Sequence, residues 1–124
     1  MKTKLHWPEY FSELAGTMFM VGFGLFVIAL FWSRSSPLPE AIPNESMRRL
    51  VTGFFFAGGA TAVVYSPLGQ RSGGHINPSV TLAFLYLKKI SKIDALFYVA
   101  AQVVGAAIGT LAVYYFLQKS AGWN

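Results

Sequence analysis

There is no cysteine among the 124 residues. Disulfide frameworks and thiolate-bound metals are therefore excluded, although this absence fixes no compartment. Charge is scarce as well: charged residues make up 12% of the chain, where a soluble domain carries about 25%. Acidic residues are the rarest of these, five against ten Lys and Arg, which leaves a net charge of +5. What fills the chain is apolar. It is 54% hydrophobic, with 11 Phe, six Tyr and three Trp, and its mean hydropathy is +0.47. Such a composition excludes disordered and collagenous chains. It also excludes a soluble domain, which needs a polar surface. The chain reads as an all-α integral membrane protein, multi-pass, in a cell or inner membrane, with the lipid bilayer as its first partner. Its basic residues read as flanks of membrane spans, so nucleic acid is not expected as a partner.

A spanning helix needs about 20 apolar residues to cross a core roughly 30 Å thick. Three segments meet this: 10–32, 47–67 and 95–117. The first carries one charge, Glu13, and the third none. Lys2 and Lys4, Arg34 to Pro43, Arg71, Lys88 to Asp94 and Lys119 bracket them, and Trp7, Trp32 and Trp123 sit near span ends, where indole rings favour the interface. The first run is about twice as long as a signal-peptide core and no A-x-A site follows it, so it reads as a retained span. Asn44-Glu45-Ser46 matches a glycosylation triplet, a pattern common by chance.

One apolar run is too short to cross. It extends from Ile76 to Leu87, opens at Asn77-Pro78 and ends at Lys88-Lys89. As a helix, Pro78 to Leu87 is about 15 Å long, half a bilayer. Asn77 suits an N-cap and Pro78 a first helical residue. The preceding Ser72-Gly73-Gly74-His75 is a poor helix former. Residues 72–88 therefore read as a re-entrant loop and half-helix that leaves on the side it entered. Irregular backbone at membrane depth is tolerated only in protein or along a wet cavity, which points to a channel or transporter site.

These residues carry a resemblance. Ser72 to Phe84, SGGHINPSVTLAF, resembles the first signature loop of the aquaporin, or major intrinsic protein, family. Glu13-Leu14-Ala15-Gly16-Thr17 resembles the family's E-x-x-G-T opening, and Ala101 to Ala106 resembles its A-Q-x-x-G-A. The family usually has two such halves in inverted orientation with six spans. Residues 1–124 resemble one unit, the first half, with three transmembrane helices and one half-helix. No internal repeat is visible. Val80 stands where the second half usually carries Arg, and Ser79 replaces the usual Ala.

The resemblance implies roles. The Asn77 amide would donate to a permeating molecule in the pore motif formed with Pro78 and Ser79. The carbonyls of Gly73, Gly74, His75 and Ile76 would line the pore. Glu13 would anchor the loop amides, with His75 holding the loop and Gln102 as the analogous polar group of the third span. Val80 and Leu82 read equally as pore-facing or as packing. From spacing alone, Ala101, Gly105 and Gly109 form a small-residue stripe for close helix packing, with Gly16 on the first span as a further packing position. No metal site is expected: the only other histidine is His6. No cofactor is expected either. There is no nucleophile–base set, P-loop or zinc pattern, so the chain does not read as an enzyme.

The expected function is a passive channel for water or small neutral solutes. One half cannot enclose a pore, so two units must pair, either as an inverted homodimer or with a separate second-half chain. By resemblance, four such pores associate. With a cytoplasmic N-terminus, Lys2, Lys4, Arg71, Lys88, Lys89 and Lys92 lie inside and Arg34, Arg48, Arg49 and Lys119 outside. That is a weak positive-inside bias, compatible with either orientation. The alternatives are a non-conducting or regulatory membrane subunit and a small dual-topology transporter that uses Glu13 for coupling.

Overall fold

The computed structural model describes residues 3–121. Lys2 and Trp123, counted above as a flanking charge and an interface ring, lie outside the described residues. The order is α1 (Trp7–Trp32), α2 (Leu38–Ala41), α3 (Glu45–Tyr65), α4 (Pro67–Ser72), α5 (Pro78–Tyr86) and α6 (Lys92–Ala121), with no strand among the described residues.

Helix α1 is the hub. Alongside it, α6 runs in the same direction. His6 and Tyr10 meet Asp94 near the start, Glu13 meets Gln102 one turn on, and Phe26 meets Phe116 near the end. The two helices touch closely because Gly105 and Gly109 have no side chain. A Cβ at Gly105 would strike the Leu14 carbonyl, and one at Gly109 the Met18 carbonyl. Gly16 serves other neighbours, Ile76 and Val63. In contrast, α3 runs antiparallel to α1. Val63 sits on Gly16, Phe56 on Gly24, and the Trp32 indole N–H donates to Thr52 Oγ1 at 3.1 Å.

The segments expected as spans are helical, as α1, α3 and α6, with shifted ends. The run placed at 47–67 ends at Tyr65, because Ser66 stops α3 and Pro67 opens α4. Ser66 Oγ accepts from Gly69 N–H and caps that short helix, so Ser72 is helical rather than the first residue of an irregular loop. A proline reads as a breaker, yet at the first turn its missing N–H costs nothing. Likewise α2 occupies the Arg34 to Pro43 connection. There Arg48 donates to the carbonyls of Pro39 and Ile42, both at 3.1 Å, and its guanidinium lies 4.8 Å from the Trp32 ring centre.

Two helices, α1 and α6, are long and apolar enough to cross a membrane. Yet both leave most of their apolar residues outside the protein's interior, unlike core helices of a soluble domain. Helix α3 has 21 residues, but Arg48 and Arg49 in its first turns lower its apolar average.

Between α4 and α6 the chain turns inward and comes back. Gly73 and Gly74 take φ of +93° and +63°, and Ile76 takes +43°. Ile76 and Asn77 then share a groove with Met20, Gly24 and Ile28, about halfway along α1. From there α5 returns toward Lys88 (φ +57°) and Ser91, where α6 starts beside His6 and Tyr10. Helix α5 has nine residues, which is about 13 Å of rise. It ends at Tyr86 rather than Leu87, whose N–H donates to the Ala83 carbonyl as the cap.

Candidate functional site

Two polar features sit where α1, α6 and the inward segment meet. One is a buried cradle and the other an exposed amide.

The cradle centres on Glu13, fully buried on α1. Its Oε1 accepts from Ser72 Oγ at 2.6 Å and from the His75 N–H at 3.0 Å. Its Oε2 accepts from the Ile76 N–H at 2.7 Å and from Gln102 Nε2 at 2.8 Å. A carboxylate offers about four lone-pair directions, and donors fill them all. The left-handed turn at 73–76 makes this possible, since it points successive backbone N–H groups at one acceptor. Ile76 is not a glycine, so its left-handed φ is strained, and the short bond to Glu13 offsets that strain.

The cradle continues outward. Gln102 Nε2 also donates to Thr81 Oγ1 at 2.9 Å, and His75 Nδ1 lies 3.0 Å from the same oxygen. Thr81 is fully buried on α5, so this hydroxyl ties the half-helix to α6. The Tyr98 hydroxyl donates to the Ser72 carbonyl at 2.7 Å. Sequence reasoning missed Ser72, Thr81 and Tyr98 as participants. The one signal available was polar residues on otherwise apolar segments. Thr17 Oγ1 and Gln102 Oε1 are buried without a protein partner. No group of three or more His, Asp or Glu side chains converges among the described residues.

The exposed amide belongs to Asn77. Its Oδ1 accepts from the Ser79 N–H at 2.8 Å and caps α5. Pro78 follows as the first helical residue. An amide's two ends are told apart by their partners, and here the cap must use the oxygen. The Nδ2 group is thereby held away from the helix, with no protein acceptor among the described residues. Asn77, Pro78, Ser79 and Val80 are all exposed, at the N-terminal end of α5, where the helix dipole places positive potential. The carbonyl oxygens of Gly73, Gly74, His75 and Ile76 accept no hydrogen bond among the described residues.

Gln102, Gly105 and Gly109 all face α1, whereas Ala101 borders an apolar groove with Trp7, Tyr10 and Phe97. Leu82 is exposed, next along α5 to the buried Thr81.

The chain matches the family model described as Major intrinsic protein over residues 1–123. It is 40% identical to aquaporin-5 of Mus musculus over 114 residues, covering 92% of this chain and 38% of that protein. It is 39% identical to the lens fiber major intrinsic protein of Lithobates pipiens, covering 87% of this chain and 36% of that one. Against aquaporin-2 of Orycteropus afer it is 38% identical, with 84% of each chain covered. The chain thus spans less than two fifths of the length of the first two relatives. With the cradle, the Asn77-capped α5 and these matches together, the chain belongs to the major intrinsic protein family.

Proposed function

We propose that this chain supplies one side of a passive transmembrane channel for water or small neutral solutes. The observation that carries the reading is the Asn77 amide, whose oxygen is held by the helix cap while its Nδ2 group stays free. In this reading α1, α3 and α6 cross the bilayer and residues 72–88 are re-entrant. A permeating oxygen accepts from Asn77 Nδ2, and its hydrogens turn toward the free carbonyls of residues 73–76. The positive end of α5, equivalent to roughly half a charge, disfavours cations and protons there.

One such unit leaves its Asn77 amide on an open face. Polar backbone at membrane depth needs protein or water around it. A second unit therefore faces the first, and two half-helices meet N-terminus to N-terminus. If a second copy is used, Val80 stands at both motifs and no Arg narrows the path.

The geometry of Glu13 speaks against a coupled transporter. Its carboxylate is enclosed by four donors of this chain, which leaves no face open to a transported molecule. A non-conducting subunit would have no use for the free Asn77 amide.

The test is to reconstitute wild type, Asn77→Asp and Asn77→Ala at matched density and to measure osmotic swelling and proton leak. Asn77→Asp replaces the donor with an acceptor of the same size, and reduced solute flux with weaker cation exclusion is expected. Asn77→Ala loses the cap, at about 1 kcal/mol per unit, and reduces assembly. Wild-type fluxes in a folded Asn77→Asp variant would make Asn77 a cap alone and refute the reading. Flux that appears only when a second-half chain is added would select the heteromeric form over the homodimer.

A further inference from the structure

We infer that the apolar groove between the early turns of α1 and α6 seats an acyl chain of an anionic phospholipid, whose headgroup lies against the lysines at that end of the protein. Such a site is independent of the channel reading and requires only that α1 and α6 lie in a bilayer. The groove, about 180 Å³, is walled by Trp7, Phe11 and Leu14 of α1 and by Phe97, Ala101 and Val104 of α6. Ala101 is half-buried and leaves a hollow among these larger side chains.

Shape selects a hydrocarbon chain. From Trp7 to Leu14 the groove follows seven residues of helix, about 10 Å. That is a third of an apolar core roughly 30 Å thick, so the groove lies within one leaflet. A helix is about 10–12 Å across and cannot enter so small a hollow, whereas one acyl chain can lie along it. The Tyr10 hydroxyl, the one hydroxyl among the lining residues, is turned onto Asp94 and away from such a chain. At the mouth, the Trp7 ring packs edge-on against Tyr10 and Phe97, which stack on each other at 4.9 Å. Trp7 is 50% exposed, and its indole N–H has no acceptor among the described residues. That leaves a donor for a lipid ester oxygen at the interfacial level where indole rings settle.

Charge selects the headgroup. The contact of His6 with Asp94 holds the starts of α1 and α6 together, so Lys4, Lys88, Lys89 and Lys92 gather at this end. All four are exposed, and none uses its side chain in an ion pair or hydrogen bond among the described residues. Of the two acids at this surface, Asp94 is taken by His6, Tyr10 and Ser91, which leaves Glu9 against four cations. At the opposite end, Arg48 is engaged by the carbonyls of Pro39 and Ile42, and Arg49 by Glu45 at 3.5 Å. Unpaired cations at a membrane surface attract anionic headgroups, and a zwitterionic headgroup gains less from them.

The experiment reads the site through Trp7. The full chain carrying Trp32→Phe and Trp123→Phe keeps Trp7 as its one indole. It is reconstituted into phosphatidylcholine with rising fractions of phosphatidylglycerol bearing dibrominated acyl chains, or of phosphatidylcholine brominated in the same way. Bromine quenches an indole only near contact. Phosphatidylglycerol is expected to reach half-maximal quenching at a several-fold lower fraction than phosphatidylcholine. The double variant Lys4→Gln, Lys92→Gln is expected to remove most of that preference. Ala101→Leu, which fills the hollow without touching a charge, is expected to reduce it as well. Equal quenching by the two lipids before these changes would overturn the inference, as would a preference that survives undiminished in either folded variant. Should the tryptophan substitutions prevent folding, native mass spectrometry of the wild-type chain from an equimolar mixture of the two lipids decides. Preferential retention of phosphatidylglycerol is expected, and equal retention would overturn the site.

Discussion

Glu13→Ala is expected to collapse the segment between α4 and α5 and abolish assembly. Four donors lose their acceptor at once: Ser72 Oγ, the N–H groups of His75 and Ile76, and Gln102 Nε2. A buried donor left unpaired costs about 1–3 kcal/mol. Even with strong non-additivity, the sum is a large part of a typical stability of about 5–15 kcal/mol. The left-handed Ile76 also loses the bond that offsets its strain. Glu13→Gln keeps the shape but turns one oxygen into a donor that faces two donors, so it rescues little. Thermal unfolding in detergent, with limited proteolysis between Ser72 and Asn77, measures the effect. A Glu13→Gln variant as stable as wild type would show that the cradle does not depend on a carboxylate.

The second large effect belongs to the α1–α6 contact. Gly105→Val and Gly109→Val place side chains onto the carbonyls of Leu14 and Met18. Those atoms are helix backbone and cannot rotate away, so the helices must part. Overpacking costs about 1–3 kcal/mol at a yielding site, and each of these variants is expected to exceed that range. Separation would also pull Gln102 from Glu13, one turn away on the same interface. Gly53→Ala and Gly58→Ala are the controls. Nothing lies within 4 Å of a Cβ at either position, so alanine there is expected to be neutral or to stabilise by up to about 1 kcal/mol through helix propensity. Equal losses at all four positions, read by thermal unfolding, would show that general helix flexibility matters rather than close approach.

Much of this arrangement is legible from residue order. Asn77-Pro78 marks the start of α5 because capping and proline chemistry are local, and Lys88-Lys89 marks its end. Glu13 and Gln102 stand out as lone polar groups on apolar runs. The small-residue spacing at 101, 105 and 109 marks a packing edge, although Ala101 borders a groove instead of the α1 backbone. Other contacts depend on how the helices are rotated about their axes. Helices α1 and α6 are apolar on every side, so no amphipathic face tells which residues turn inward. The seating of Phe56 on Gly24, the bond from Tyr98 to Ser72 and the role of Thr81 follow from that rotation. The short helices α2 and α4 escape for a different reason, since prolines that read as breakers in fact open them.

The channel reading stands on the chain entering and leaving the membrane at one face between α3 and α6. The protein has no cysteine, so single-cysteine variants Arg71→Cys and Lys89→Cys give unambiguous labels. Both positions are exposed, one in α4 and the other just beyond α5. In sealed vesicles of a single protein orientation, treated with a membrane-impermeant thiol reagent, both are expected to react from the same side. Reaction from opposite sides would mean that residues 72–88 cross the bilayer, and would contradict the account.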